Sequence, residues 1–288
     1  MPELWTKDKE FEFFEISSNL VTIQQLFYYG EDFRYYAYWP KSYKGGKSTL
    51  QSRNALIGNF TEKFVVDLLQ DFAKSRNLYA IQGAICDQIG LTSKSPADVV
   101  LCRENKTEQR IEDIIAIFEV KMSIVWNWEY TTNGLKCLGD FKTHQGNPGL
   151  LRSDSMLKAI GKSINIRVSG YGASHIPIVI LGNTPITEYY TEKVDHLLIA
   201  GIIQGFWSLN TKPLDDNIET LKQTDKKGFV RIDSYCEFLD MLDKLLIEKQ
   251  NFFSAMKTKN QLGKIIEIAS QERSLESKAE KFLELIKV

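Results

Sequence analysis

Two short apolar stretches carry acids where apolar side chains are expected. In Ile117-Phe118-Glu119-Val120-Lys121-Met122, alternate side chains of an extended strand face opposite ways. Phe118, Val120 and Met122 can then line a core, while Glu119 and Lys121 stand side by side on the other face. In Ser95-Pro96-Ala97-Asp98-Val99-Val100-Leu101, Asp98 opens an otherwise apolar strand and faces away from Ala97, Val99 and Leu101. If the two strands pair, Asp98 and Glu119 converge with Lys121 beside them. Carboxylates that close repel, and neither stays ionised without a countercharge. A hard divalent cation supplies one and takes oxygen ligands, and Mg²⁺ needs only one or two carboxylates, keeping water and substrate phosphate for its other positions. Such an ion lowers the pKa of a bound water and neutralises charge on a scissile phosphate. A lysine beside it can orient or deprotonate that water, or meet the charge of the transition state. This is the chemistry of phosphodiester hydrolysis.

A third acid is Glu62. The spacing predicts a helix over roughly Asn54–Lys74, with Asn59, Lys63, Asp67, Gln70 and Lys74 in one polar sector. Glu62 lies outside that sector, near Val65, Val66 and Leu69, where an acid needs a partner. Strands are expected near Tyr79–Ile85, Asp98–Cys102 and Ile114–Met122, then a helix near Ser153–Arg167 with Ser153 as its N-cap, and an apolar strand over Ile176–Leu181. Lys158 and Lys162 are i,i+4 neighbours on that helix. On spacing alone they belong to a solvated face on which Asp154 pairs with Lys158. Upstream, the aromatic run Phe33–Trp39 is expected as a strand. Downstream, a helix is expected near Val194–Phe206, and the chain from about 210 reads as helical, ending in Ile265–Val288 with Leu275, Ala279, Phe282 and Ile286 at helical spacing.

At these residues the chain resembles the PD-(D/E)XK nuclease superfamily. Pro96-Ala97-Asp98 is followed 21 residues on by Glu119-Val120-Lys121, Glu62 fits the helix acid many members carry, and the helix–strand–strand–strand–helix–strand order matches the family core. The resemblance covers roughly residues 52–185. Ala97 separates Pro96 from Asp98, where the founding pattern has the two adjacent. The resemblance implies an α/β (α+β) fold with a restriction-endonuclease-like core, a central mixed β-sheet flanked by helices, and helical additions. It implies Asp98 and Glu119 as metal ligands with the Val120 carbonyl, Lys121 as the catalytic lysine and Glu62 as an outer or second-metal ligand. It also implies contact of Lys158 or Lys162 with phosphate. The ion would be Mg²⁺, with Mn²⁺ able to substitute. The activity implied is that of a type II restriction endonuclease cutting double-stranded DNA to leave 5′-phosphates. The partners implied are a second copy of the chain, as a homodimer, and a cognate DNA methyltransferase. The alternatives are a DNA repair or junction-resolving nuclease of the same fold and a non-catalytic DNA-binding module. On this reading residues 1–51 form an aromatic and basic extension suited to DNA recognition, 52–207 the nuclease core, and 208–288 a helical region that packs on the core or dimerises.

Composition bounds these readings. Of 288 residues 43% are hydrophobic, enough for a sizeable core, and 36 Lys and Arg against 37 Asp and Glu give a net charge of -1, which excludes a polycation. Near-neutral charge suits an enzyme that must not cling to all DNA, one basic face being balanced by acid elsewhere. Lys158, Lys162, Arg152, Lys142, Lys44 and Lys47 are the candidates for that face. Scattered Cys86, Cys102, Cys137 and Cys236 and distant His144, His175 and His196 argue against a zinc finger or a disulfide framework. Gly45-Gly46-Lys47-Ser48-Thr49 is not a P-loop, because Lys41 stands where its first glycine is required. Trp126, Trp128 and Tyr130 could stack on bases, or form a packed aromatic cluster. No apolar run is long enough for a membrane span, and the polar N-terminus fits no secretory signal, so a cytoplasmic protein is expected.

Overall fold

A strand that is apolar on both faces must be covered on both, and the runs Ile114–Val120 and Ile178–Gly182 are apolar almost throughout. The computed structural model, which describes residues 2–46, 48–216, 218–247, 250–253 and 257–286, places both runs at the centre of a six-stranded sheet. The elements in chain order are α1 Lys7–Ser18, α2 Ile23–Leu26, β1 Tyr28–Tyr29, β2 Tyr35–Tyr36, α3 Gln51–Ser75, β3 Tyr79–Ala84, β4 Ala97–Cys102, β5 Ile114–Val120, β6 Asn127–Thr131, β7 Gly134–Gly139, α4 Ser153–Ser169, β8 Ile178–Gly182, α5 Thr191–Ile199, β9 Gly205–Ser208, β10 Phe229–Arg231, α6 Tyr235–Ile247, α7 Lys259–Ala269 and α8 Leu275–Ile286. The sheet order is β10-β9-β8-β5-β4-β3. Strands β3, β4 and β5 run antiparallel, and β5, β8, β9 and β10 run parallel. The chain is therefore mixed α/β, with a mixed central sheet flanked by helices. Among the described residues no helix is long and apolar enough to cross a membrane.

Alternation along the strands divides the core in two. Val99, Leu101, Phe118, Val179, Leu181 and Trp207 face a cluster with Phe13 and Phe14 of α1, Val65, Leu68, Leu69 and Phe72 of α3, and Phe238 and Leu242 of α6. Val100, Ile117, Ile178, Ile180 and Phe206 face the opposite cluster, with Met156, Ala159 and Ile166 of α4 and Val194 of α5. Both faces of β4 and β5 are thus closed by helices, α3 on one side and α4 on the other. A polar side chain near the end of β4 or β5 is held between two walls.

Several expected elements take a different form. The Phe33–Trp39 strand shrinks to Tyr35–Tyr36, because Phe33 turns with φ 62°. Val194–Phe206 is a helix only to Ile199, as the end of α5, and then a strand; Gly201 takes φ 70° and stops the helix, as left-handed glycines do. Phe206 and Trp207 then point to opposite clusters. The chain after 208 is not wholly helical, because Phe229–Arg231 extends the parallel half of the sheet. The last helix is two, α7 and α8, and Ser274 Oγ receives the Ser277 N–H at 3.0 Å where α8 begins. Helix α4 begins at Ser153, so its N-cap is Arg152, and no side chain caps it. Trp126 and Trp128 are buried in the first cluster, which makes them packing residues.

A smaller antiparallel sheet, β1-β2-β6-β7, joins the N-terminal segment to the hairpin that follows β5. Its edge is pinned by His144, which stacks on Tyr38 at 4.1 Å, contacts the Val125 carbonyl through Nε2 at 3.2 Å and accepts the Gly146 N–H at Nδ1 at 3.1 Å. Burial lowers its pKa from 6.5 to about 4. The unfolded chain takes up this proton below pH 6.5 and the folded chain only near pH 4. The contribution is therefore whole above 6.5 and lost as pH falls through that window, to a total of about 3 kcal/mol. We expect His144→Phe, which keeps the ring stack, to gain stability against urea relative to wild type as pH falls from 6.5 to 4.

Candidate active site

The pairing of β4 with β5 runs from Cys102↔Ile114 to Val99↔Phe118. At the next step the backbones part, and the Val120 N–H donates to Asp98 Oδ2 at 2.8 Å instead of to a strand carbonyl. Asp98 and Glu119 therefore meet at a fork in the sheet. On the other side of β5 the Lys121 N–H donates to the Leu181 carbonyl of β8 at 2.7 Å, which fixes the backbone carrying Lys121.

Four charged groups fill the fork. Lys121 Nζ lies 2.6 Å from Glu119 Oε1, 3.2 Å from Asp98 Oδ2 and 3.1 Å from the Val120 carbonyl oxygen. From α4, Lys162 Nζ lies 3.0 Å from Asp98 Oδ1 and 2.6 Å from Glu119 Oε2. The latter contact is an ion pair without hydrogen-bond alignment, so Glu119 Oε2 is buried with no donor directed at it. Each ammonium bridges one oxygen of each carboxylate. The countercharge assigned to a metal on sequence grounds is here supplied by two lysines. Lys162, a candidate for phosphate contact, is instead directed at the acids.

The electrostatics follow from this packing. Burial works to raise the Asp98 carboxyl, but the ammoniums of Lys121 and Lys162 and the Val120 N–H outweigh it and hold Asp98 below the usual range. Glu119 is pushed up, first by burial and then by the negative charge of Asp98. Burial works to lower Lys121, yet Glu119 and Asp98 raise it overall. At neutral pH Asp98 is the secure anion of the pair and Lys121 is fully charged.

Glu62 joins the edge of this group rather than its centre. It is half-buried on α3, and its Oε2 accepts from Gln82 Nε2 of β3 at 2.9 Å. The same amide nitrogen donates to Asn59 Oδ1 at 2.8 Å. Burial raises the Glu62 carboxyl, the Gln82 hydrogen bond opposes this, and the charges of Asp98, Lys121 and Lys162 all reach it. The expected meeting of three anions with one ammonium is corrected to two anions and two ammoniums, with Glu62 alongside. Among the described residues no three His, Cys, Asp or Glu side chains gather as a metal site. The oxygens that converge on one point are two carboxylate oxygens and the Val120 carbonyl.

The other basic candidates scatter. Lys158, with its side chain 72% exposed, pairs with Asp154 at 3.0 Å, as the solvated-face reading has it. Arg152 also reaches Asp154, at 3.4 Å. Both line a cleft of about 620 Å³ that begins at Val120 and Lys121. Lys142 is not in its wall and pairs with Asp216 at 3.0 Å. Lys44 is exposed and not in the wall either, and Lys47 lies outside the described residues. Two residues of this region were not singled out from the sequence. Gln82 is a lone amide in the run Tyr79-Ala80-Ile81-Gln82-Gly83-Ala84, and that polar intrusion into a strand was a usable signal. Arg53, in the first turn of α3, carries no such signal.

In comparisons with known proteins, no family model matches the chain, and no curated protein or solved structure is significantly similar to it.

Proposed function

We propose that the protein is a Mg²⁺-dependent nuclease that hydrolyses phosphodiester bonds in double-stranded DNA, a type II restriction endonuclease with a restriction-endonuclease-like core of the PD-(D/E)XK kind. One observation carries the reading. Asp98 Oδ2, Glu119 Oε1 and the Val120 carbonyl converge on a single cation, the Lys121 ammonium, at a fork between antiparallel strands. Three hard oxygens around one positive charge are the donor set that Mg²⁺ takes, with Mn²⁺ as substitute, and the buried Glu119 Oε2 still lacks an aligned donor. The residues fit the ion.

When bound, such an ion polarises the phosphate and makes its coordinated water a better nucleophile. Asp98 and Glu119 would hold it, Val120 would contribute a backbone oxygen, and Glu62 would stand alongside. Lys121 keeps an ammonium at the reacting centre, where it can orient the attacking water and meet charge developing on the phosphate. In-line attack then leaves a 5′-phosphate and a 3′-hydroxyl. The reading brings with it a homodimer on a two-fold site, a cognate methyltransferase and a cytoplasmic location.

Digestion of phage DNA with Mg²⁺ tests it. Discrete bands are expected. A smear, or cleavage confined to branched DNA, favours the repair or junction-resolving alternative. Binding without cutting favours a non-catalytic module, and neither binding nor cutting sinks the proposal.

Lys162 offers a second check. Lys162→Met leaves two carboxylates against one ammonium, a buried imbalance that costs several kcal/mol. The metal-free variant should melt several degrees below wild type. Because its cluster is more negative, millimolar Mg²⁺ should raise its melting temperature more than that of wild type. Equal shifts in differential scanning calorimetry would count against a cation site at this fork.

A further inference from the structure

The cleft beside Lys121 is lined by a buried guanidinium. Arg53, in the first turns of α3, is 3% exposed. Its Nη1 donates to the Leu26 carbonyl at 3.1 Å and to the Ala37 carbonyl. Its Cζ lies 5.2 Å from the ring centres of both Tyr28 and Tyr38, and its Nε has no hydrogen-bond partner. Among the described residues no carboxylate pairs with it. Two carbonyls and two π faces satisfy part of the fork and leave the net charge unanswered, which is costly away from water.

Three further features of the same cleft favour an anion. Trp39, which stacks on Tyr43 at 3.8 Å and on Tyr28 at 4.9 Å, keeps a buried Nε1–H without an acceptor. Helices of 25 and 17 residues, α3 and α4, both begin here, with Arg53 and Asn54 of the one and Asp154 and Ser155 of the other in the wall. Neither N-cap residue, Leu50 or Arg152, supplies a side-chain cap to the opening N–H groups, and first-turn residues of both helices lie in the wall, which brings two positive dipole ends to the cleft. Among the described residues the one carboxylate in the wall, Asp154, is already engaged by Lys158 and Arg152. A planar fork flanked by free helix ends matches a phosphate group better than a lone carboxylate or a neutral base edge.

We propose that this cleft is a second phosphate site, in which Arg53 meets a backbone phosphodiester of the DNA strand whose neighbouring phosphate lies at Asp98 and Glu119. The identity of the strand rests on the nuclease reading; the anion preference of the cleft rests on Arg53 and its surroundings.

The test measures binding in EDTA, where nothing is cut, by fluorescence anisotropy with a labelled duplex over a range of salt. Arg53→Met should bind about tenfold more weakly, with a salt dependence shallower by about one unit in log–log slope, and Arg53→Lys should recover most of the affinity. Because Arg53 also ties α3 to Leu26 and Ala37, a second pair of variants leaves it intact. Gly58 of α3 lines the cleft, and an added Cβ there meets nothing within 4 Å, so the helix accepts a side chain. Gly58→Glu should weaken binding about tenfold and Gly58→Lys should strengthen it.

Wild-type affinity and slope in folded Arg53→Met would overturn the inference. If that variant does not melt cooperatively, equal affinities of the two Gly58 variants would overturn it. Inorganic phosphate that stabilises wild type but not Arg53→Met, with DNA affinity unchanged, would make this a free-anion site and reject the strand assignment. If wild type itself binds no DNA, the nuclease reading fails too. Duplex binding that ignores residues 53 and 58 overturns this inference alone.

Discussion

If the protein is the nuclease proposed, Lys121→Met is expected to slow its Mg²⁺-dependent DNA cleavage by about a thousandfold, the scale of losing a positioned proton-transfer or charge-stabilising group. Methionine keeps the unbranched stem and removes the charge, so this variant, like Lys162→Met, should melt several degrees below wild type, and cleavage is compared well below that temperature, with the Val120 N–H to Asp98 bond in place. Asp98→Asn should match it for a different reason. Asparagine can still accept from the Val120 N–H, but it gives up the anion that Lys121 and Lys162 both contact. Duplex binding should survive in both variants and be tighter in Asp98→Asn, since its four-group cluster changes from neutral to positive. Lys158→Ala, which removes an exposed side chain paired with Asp154, should change cleavage only a few-fold. Single-turnover cleavage with binding measured on the same duplex separates these effects. Full activity in either fork variant would remove Asp98 and Lys121 from the site.

What could be read in advance followed from local periodicity. Asp98, Glu119 and Lys121 are legible as neighbours because a period of two in an apolar strand puts the acids on a face where burial demands a partner. Helix α3 and strands β3, β4, β5 and β8 appear within a few residues of their expected bounds, because each has a uniform pattern between clear breaks. Lys162 was legible as a position but not as a contact. Helical spacing shows that it neighbours Lys158, whereas its approach to both carboxylates depends on how α4 crosses β4 and β5. Glu62 shows the same limit: the wheel marks it as anomalous, but its Gln82 partner comes from β3. Val194–Phe206 reads as one helix because most of it is apolar, and only Gly201 and Gly205 mark the change from helix to strand. The β6–β7 hairpin carried a usable signal in Asn133-Gly134, with Gly134 at φ 105°. Arg53 gave none, since an arginine in a helix reads as exposed until the Leu26 and Ala37 carbonyls fold over it.

The strand that carries Lys121 leads directly into a segment held by one buried acid, and Glu10→Ala should be among the most destabilising substitutions in the chain. Glu10 of α1 is fully buried. Its Oε1 accepts from Trp5 Nε1 at 3.1 Å and the Val125 N–H at 2.5 Å, and its Oε2 accepts from the Trp126 N–H at 3.1 Å and Trp128 Nε1 at 3.0 Å. Burial pushes this carboxyl up to about 7, against the pull of the four donors. Its contribution is therefore whole below pH 4.5 and declines as pH rises through about 7, the reverse of His144. In either protonation state alanine leaves four buried N–H groups without an acceptor. At about 1 kcal/mol or more for each, the loss is about 4 kcal/mol, and the melting temperature should fall by roughly 10 °C. The break is local in origin but not in consequence. Val125 and Trp126 follow Lys121 by only four and five residues, so freeing them loosens the anchor on the far side of the fork. Cleavage by Glu10→Ala, assayed well below its melting temperature, should fall with the order of this segment. A variant that melts like wild type would show that the two tryptophans and the backbone amides find other acceptors, and that α1 does not brace the strand that carries Lys121.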